Sequence, residues 1–125
     1  GQREAEVREV CDLCGQAEEL GNYTMSGLRD LQKHNSTIGE VRGLGLMIGV
    51  ELVKDEQHTP ATAEAEAVRD ALLRRGVLVG VGGVYGNVVR FQPPLVITRQ
   101  QIDHALEAFA SALAEVAPAA HTAVV

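Results

Sequence analysis

Two short apolar runs separated by a glycine-rich segment constrain the fold of this chain more than any other part of its sequence. The runs are VLVGV (Val77–Val81) and VVRF (Val88–Phe91), with GGVYGN between them. Short runs rich in β-branched residues and bounded by glycines predict strands rather than helices. Pro93 and Pro94 follow, and because proline has no N–H to donate to a ladder, they end the second strand. The sequence therefore predicts two short strands, the first of them buried, joined by a turn or loop.

Three further segments have the apolar periodicity of amphipathic helices. The first, Leu13–His34, contains three glycines, and each weakens a helix by about 1 kcal/mol relative to alanine. The second, Ala61–Arg75, is followed by Gly76, which is placed to be its C-terminal cap. The third begins after Thr98, a residue type that favours the N-cap position. The inner stripe of the second helix is Ala61, Ala65, Val68 and Leu72, and that of the third is Ile102, Leu106, Phe109 and Leu113.

A longer stretch, IGEVRGLGLMIGVELV (Ile38–Val53), predicts one more strand. Gly43 and Gly45 within it indicate a bulge, or a place where another backbone comes close. The predicted order is helix, strand, helix, strand, strand, helix. Strands that alternate with helices in this way predict a two-layer α/β domain with a sheet covered on one face. The other face of the sheet is then the part of the fold that a function has to explain.

Length and charge exclude several classes of function. The chain has 125 residues, which suits one domain, and only 3 % of them are aromatic, so the core must consist of Val, Leu, Ile and Ala. Its formal net charge is -6. Because an acidic surface repels nucleic acid and anionic membranes, we expect neither as a partner.

The same composition predicts a cytoplasmic protein. No apolar run is long enough to span a bilayer, and the first residues, GQREAEVREV, lack the apolar centre of a signal peptide. Two cysteines without a secretory signal indicate a reducing compartment.

Short motifs that could carry chemistry are weak in this chain. Cys11 and Cys14 have the CxxC spacing, but they follow a charged, helix-like segment rather than a strand, and the four histidines are scattered, so we interpret the cysteines as structural and expect no metal site. GLGLMIG runs into a strand and carries no GKS or GKT, which argues against a phosphate loop. Neither Lys33 nor Lys54 lies where a desolvated Schiff-base lysine is expected. The chain therefore contains no complete active site, and no residue in it is predicted to be catalytic.

Arg90 is the one residue whose position predicts binding. Along a strand, Val89 and Phe91 point to one side, and Val88 and Arg90 point to the other. If the first side faces the core, a guanidinium projects from the uncovered face of the sheet. Arginine is the side chain best suited to a carboxylate, which it binds through two parallel hydrogen bonds. The alternatives are an arginine with no function or a structural ion pair, for which Glu51 is the candidate partner.

At this point the sequence resembles a known family. IGEVRGLGLMIGVELV, then a helix, then RRGVLVGVGGVYGNVVRFQPPLVITRQQIDHALEAFASAL is similar to the C-terminal small domain of class III aminotransferases. These are pyridoxal-phosphate enzymes of fold type I, and the sequence is most similar to the alanine–glyoxylate and 4-aminobutyrate branches. The resemblance covers roughly residues 13–116. It divides the chain into a junction (1–12), the small domain (13–117) and a frayed tail (118–125).

The resemblance implies an architecture and a division of labour. The small domain is expected to hold three to four mainly antiparallel strands with helices on one face. The family's large domain supplies the lysine and binds pyridoxal 5'-phosphate, and the enzymes are usually homodimers. Arg90 occupies the position that binds the substrate carboxylate, and Gly83 and Asn87 lie in the loop beside it. The full-length enzyme would transfer an amino group from an amino acid or ω-amine to a 2-keto acid of the glyoxylate, pyruvate or 2-oxoglutarate type.

Two alternatives remain open from the sequence. The resemblance implies that these 125 residues are inactive alone and meet their own large domain and a dimer partner. The chain could instead be a free-standing, non-catalytic module that binds a partner or a small carboxylate. Within the family, a decarboxylase or an aminomutase also fits, because a fold does not determine the reaction.

Overall fold

The described part of the chain contains three helices and one sheet. The structure is a computed structural model that describes residues 2–44, 47–92 and 97–116, with the side chains of 2–14, 16, 17 and 44 not described. Its elements are helix α1 (Gln2–His34), strands β1 (Ile38–Leu44) and β2 (Met47–Leu52), helix α2 (Thr62–Arg74), strands β3 (Gly80–Gly82) and β4 (Val88–Phe91), and helix α3 (Arg99–Val116). The predicted class, a mixed α/β domain with two layers, is confirmed.

The sheet places β4 in its interior. The strand order is β1-β2-β4-β3, and all three neighbouring pairs are antiparallel. Side chains alternate between the two faces of each strand. The face toward the helices is apolar and buried, with Ile48, Val50, Leu52, Val89 and Phe91. None of the described helices is both long enough and apolar enough to cross a membrane.

One core joins the sheet to all three helices. Leu28 of α1, Val50 of β2, Leu72 of α2 and Phe109 of α3 are all completely buried. The rings of Phe91 and Phe109 stack with their centroids 5.2 Å apart. Burying a side chain of this size contributes roughly 1.5–3 kcal/mol, so the few aromatics are used where strand β4 meets α3.

Two predicted helix caps and two predicted buried stripes are found in helices α2 and α3. Gly76 has φ +79°, and the N–H groups of Gly76 and Val77 donate to the carbonyls of Leu73 and Leu72, the pattern of a glycine C-cap. At the start of α3, the Thr98 hydroxyl accepts from the Gln101 N–H at 3.2 Å. The buried stripes of α2 and α3 contain the predicted residues, except that Ala61 is buried just before α2 begins and Leu106 is only half-buried.

The first helix begins earlier than the sequence predicted. Helix α1 starts at Gln2 rather than Leu13. Its added turns are rich in Glu, Arg and Gln, which are good helix formers, and the sequence indicated them only as a charged, helix-like segment before the predicted helix. Further along, a Cβ at Gly27 would lie 2.5 Å from Leu106 Cδ1, so this glycine lets α3 pack closely against α1.

A polar contact holds the same two helices at their surface. The Tyr23 hydroxyl donates to Asp103 Oδ1 at 2.5 Å, and this hydrogen bond raises the pKa of Tyr23. The Arg99 guanidinium lies 4.9 Å from the centre of the Tyr23 ring. These contacts join α1 to α3, and we assign them to helix packing.

The single strand predicted over Ile38–Val53 is wrong, because this segment forms the antiparallel pair β1–β2. Both halves are apolar and β-branched, so periodicity alone did not reveal where the chain reverses. Gly43 does lie where a backbone comes close, since a Cβ there would sit 3.2 Å from the Met47 carbonyl oxygen. Gly45 lies outside the described residues.

The bounds of the predicted strand Val77–Val81 are also corrected. Strand β3 is Gly80–Gly82, and Leu78 is 84 % exposed, so the buried strand predicted there does not exist over its full length. The reason is that Val77 is used by the C-terminal cap of α2, and pairing with β4 begins only at Gly80. The second strand of the prediction, β4, has the predicted bounds. Pro93, Pro94 and the tail after residue 117 lie outside the described residues.

Candidate functional site

Arg90 projects from the face of the sheet that the helices leave uncovered. Its neighbours Val89 and Phe91 are 0 % and 8 % exposed, whereas Arg90 is exposed. We call this side of the sheet the open face and define it by Gly49, Glu51, Val88 and Arg90. The predicted orientation of the Arg90 strand is therefore confirmed, and the guanidinium is available to a ligand or to another domain.

Glycines surround Arg90 on the open face. In the antiparallel ladders, Arg90 lies opposite Gly49 of β2 and opposite Gly80 of β3. A third glycine, Gly82, lies beneath the guanidinium, since a Cβ there would sit 2.5 Å from Arg90 Cζ. Because none of the three carries a side chain, only backbone atoms of β2 and β3 lie beside Arg90 at these positions.

The loop beside Arg90 has a defined shape. Gly83 and Gly86 have φ values of +87° and +64°, which L-residues with side chains rarely adopt, and the Gly86 N–H donates to the Gly83 carbonyl at 3.3 Å. The Thr62 hydroxyl, at the start of α2, donates to the Tyr85 carbonyl at 2.6 Å. This bond ties the loop to the helix layer, while Val84 at the loop tip remains 94 % exposed.

Asn87 is buried and bound to the neighbouring strand. Its side-chain amide donates to the Leu52 carbonyl at 2.9 Å, and the Leu52 N–H donates back to the Asn87 carbonyl at 2.8 Å. The structure thus places Asn87 next to the loop, as predicted, but with its amide used to hold the end of β2 against the start of β4. Its contact with substrate stays a prediction, as does that of Gly83.

Glu51 is engaged with residues other than Arg90. Its two carboxylate oxygens lie 3.7 Å from Arg42 Nη2 and 3.8 Å from His58 Nδ1. The ladder explains this choice, because Glu51 lies opposite Val88 rather than Arg90. Among the described residues no salt bridge to Arg90 is found, so the ion pair with Glu51 considered from the sequence does not form.

The polar loop after β2 is held by its own aspartate. Asp55 Oδ1 accepts from the Thr59 N–H at 3.0 Å, and Oδ2 accepts from the Thr59 hydroxyl at 2.7 Å. These hydrogen bonds, the hydroxyl one first, hold the pKa of Asp55 below its ordinary value. Next to Thr59, His58 has φ +60°, the one non-glycine residue of the described chain with positive φ. The loop therefore fixes the position from which His58 reaches Glu51.

The described residues do not fit a pyridoxal phosphate site of their own. Lys33 is 74 % exposed and lies 3.6 Å from Asp30, and Lys54 is exposed in the polar loop. Neither amine is desolvated, as a Schiff-base lysine has to be. Within the described ranges no group of three His, Cys, Asp or Glu side chains could hold a metal, and the side chains of Cys11 and Cys14 lie outside those ranges.

The fold and the open face together define a class of protein: a small α/β domain with an arginine, Arg90, on an interior strand of its uncovered sheet face. The sequence model of class III aminotransferases matches residues 5–113. The chain belongs to this family, as its resemblance to the small domain of these enzymes predicted.

Relatives within the family include an aminotransferase and a racemase. The chain is 47 % identical over 90 residues to alanine–glyoxylate aminotransferase 2 homolog 2 of Arabidopsis thaliana, covering 71 % of this chain and 19 % of that protein. It is 42 % identical over 109 residues to the leucine/methionine racemase of Thermococcus litoralis, covering 86 % of this chain and 24 % of the racemase.

Solved structures agree with the fold. A phospholyase from Arthrobacter, in complex with phosphoethanolamine, superposes with a TM-score of 0.81 at 31 % identity, covering 87 % of this chain and 26 % of the phospholyase chain. The chain thus spans about a fifth to a quarter of the length of the relatives that it matches.

Sequence reasoning found Arg90 but missed the glycines that frame it. Gly80 and Gly82 were read as parts of a strand and a loop, and Gly49 as an ordinary strand position. A signal was present, because GVG in β3 has glycine at both positions that share a face. Glycine weakens a strand and often marks the close approach of another group. The group in question became visible only with the pairing of β3 and β4.

Proposed function

We propose that this chain is the C-terminal small domain of a pyridoxal-phosphate-dependent aminotransferase and that Arg90 binds the carboxylate of its substrate. The observation that carries the proposal is the guanidinium on the open face, mounted on an interior strand and framed by three glycines. The full-length enzyme would move an amino group from an amino acid or ω-amine to a 2-keto acid of the glyoxylate, pyruvate or 2-oxoglutarate type.

The geometry favours carboxylate binding for a physical reason. Strand β4 is hydrogen-bonded on both sides, to β2 and to β3, so the Arg90 backbone has a fixed position. A guanidinium can donate two parallel N–H groups to one carboxylate, which orients the bound molecule as well as holding it. Holding a substrate in one orientation contributes to catalysis through positioning.

The cofactor and the reacting lysine would come from the rest of the full-length protein. The proposal is supported by the exposure of Lys33 and Lys54 and by membership of the class III aminotransferases, whose resemblance implies pyridoxal phosphate. The 125-residue chain alone is accordingly proposed to be inactive. The open face would meet the large domain, and the exposed Val84 and Tyr85 of the adjacent loop would lie at the entrance of the site.

Gly83 and Asn87 have supporting parts in this proposal. Gly83 permits the turn after β3, because a Cβ there would sit 2.8 Å from Val88 Cγ2 and its φ is positive. Asn87 anchors the other end of the loop to Leu52. Homodimeric assembly and a cytoplasmic location belong to the same proposal and rest on the family resemblance and on the low cysteine content.

The test is Arg90→Ala in the full-length protein. We expect the KM for the amino acid to rise about 10- to 100-fold, the range for loss of a charged hydrogen-bonded pair, with bound pyridoxal phosphate unchanged. Arg42→Ala is the matched control, because Arg42 is also exposed on this side of the sheet but lies on β1, which β2 separates from β4. An unchanged KM in Arg90→Ala would remove Arg90 from the substrate site.

A second reaction is favoured by one specific observation, the 42 % identity to a racemase. Racemisation needs no keto-acid acceptor, whereas transamination does. Incubating the full-length protein with one enantiomer of leucine, without keto acid, therefore separates the two reactions. Appearance of the other enantiomer would replace the aminotransferase proposal with a racemase one, while the predicted role of Arg90 would be unaffected.

A free-standing binding module is the remaining alternative. Exposed apolar residues at Met47, Val84 and Tyr85 are compatible with a surface that meets a partner. Sequencing the transcript that encodes the chain decides between a free-standing module and a domain of a longer enzyme. A large domain in the same reading frame would exclude the free-standing module.

A further inference from the structure

We infer that Gly82 is a positioning residue for the Arg90 guanidinium, and that the absence of a side chain at this one position sets the orientation in which Arg90 receives a carboxylate. The inference rests on the proposed role of Arg90 and adds a second residue to it. The contact joins two strands: Gly82 is the last residue of β3, and Arg90 lies near the end of β4.

The contact is with the tip of the arginine rather than with its stem. A Cβ built on Gly82 would lie 2.5 Å from Cζ, 2.6 Å from Nη2 and 2.8 Å from Nη1 of Arg90. All three atoms belong to the guanidinium. The group therefore lies against the β3 backbone, in space that any other residue at position 82 would fill.

The backbone of Gly82 gives no other reason for a glycine. The glycines of the described chain with positive φ are Gly76, Gly83 and Gly86, and Gly82 is not among them. Any L-residue could adopt its conformation, and most would favour a strand more than glycine does. A larger residue at position 82 would instead occupy the space that the Arg90 guanidinium fills.

Gly80 provides a built-in comparison. It shares a strand and a face with Gly82, and it lies directly opposite Arg90. A Cβ at Gly80 would meet only Arg90 Cβ, at 3.9 Å, which is an ordinary van der Waals distance. Adding a methyl group at position 80 therefore leaves the guanidinium in place, whereas the same addition at position 82 displaces it.

The displacement should cost little stability. A long, exposed arginine can move its tip away from a new methyl group by changing its outer torsions, and nothing in the core has to shift. Gly82→Ala is therefore expected to fold normally while changing the direction in which the two parallel N–H groups point. A misplacement of about 1 Å in a positioning group can cost up to roughly a hundredfold in rate.

The experiment compares Gly82→Ala with Gly80→Ala in the full-length enzyme, with Arg90→Ala alongside. We expect Gly82→Ala to raise the KM for an amino-acid substrate about tenfold, with the single-turnover rate of the half-reaction with a carboxylate-free primary amine, measured without keto acid, unchanged. Gly80→Ala should leave both values unchanged. In the double variant Gly82→Ala/Arg90→Ala, the added methyl should have no further effect, because residues that act through one contact are not additive.

The outcomes separate this inference from the proposed function. If Arg90→Ala leaves the KM unchanged, the proposed role of Arg90 fails, and this inference fails with it. If Arg90→Ala raises the KM but the two glycine variants behave alike, Arg90 binds the carboxylate and Gly82 does not position it. A lower KM in Gly82→Ala would also overturn the inference, since the guanidinium would then bind better away from Gly82.

Discussion

The two faces of the sheet are made by the same strands yet differ in almost every property. On the helix side, Val50 and Val89 are completely buried and pack into one core. On the open face, the residues next to them in the chain are Gly49, Glu51, Val88 and Arg90. Because side chains alternate with a period of two, stability and binding can occupy alternate residues of one strand. The contrast predicts that substitutions on one face change folding and those on the other change binding.

Phe109→Ala should give the largest effect of any single change. The side chain is completely buried and stacks on Phe91, and truncating such a residue costs about 3–5 kcal/mol. Arg90→Ala, on the open face of β4, should change the free energy of unfolding by less than about 0.5 kcal/mol. Hydrogen exchange of β2 and β4 in the full-length protein measures both. Equal losses of protection in the two variants would break the contrast.

Asn87→Ala tests a buried residue that lies just before β4. We expect the free energy of unfolding to fall by about 1 kcal/mol, because the Leu52 carbonyl loses one hydrogen-bond donor but keeps the Ala61 N–H at 3.0 Å. The KM should stay unchanged. Asn87→Asp is the matched control, and it should cost more because it places a carboxylate against a carbonyl oxygen. A raised KM with full stability in Asn87→Ala would instead support contact with the substrate.

The smallest expected effect concerns Asp55, and it is a change in how stability depends on pH. The Thr59 hydroxyl lowers the pKa of Asp55 in the folded protein. The contribution of Asp55 to folding stability is therefore present above the ordinary aspartate pKa and is lost as the pH falls through the lowered value. Thr59→Val should raise the pKa of Asp55 toward the ordinary value, as measured by NMR titration of the carboxyl group. Substrate binding should not change, because Asp55 lies in the polar loop rather than beside Arg90. An unmoved titration would show that the hydroxyl is not the cause.

Local signals in the sequence were enough for part of this molecule. The alternation around Arg90 gave its face, Gly76 and Thr98 gave the ends of two helices, and the long motifs gave the family. Apart from the family motifs, each of these depends on residues close together in the chain. Capping, turn geometry and side-chain periodicity are all settled within a few residues.

Pairing between strands was the part that could not be predicted. The reversal between β1 and β2 lies within one continuous apolar run, and β4 pairs with β2 although two elements separate them in the chain. The three glycines around Arg90 are brought together by the pairing of β4 with β2 and with β3. Gly49 and Gly82 lie far apart in sequence, and their common neighbour appears only when the register is known.

The interior place of β4 also limits how this region can change during evolution or engineering. Removing Val89 would shift the rest of the strand by one position, turning the Arg90 guanidinium toward the core and the Phe91 ring toward the open face. The loop from Gly83 to Gly86 lies outside both ladders and can vary in length without that exchange. Libraries aimed at new substrates should therefore substitute residues on the open face and keep insertions and deletions to the loop.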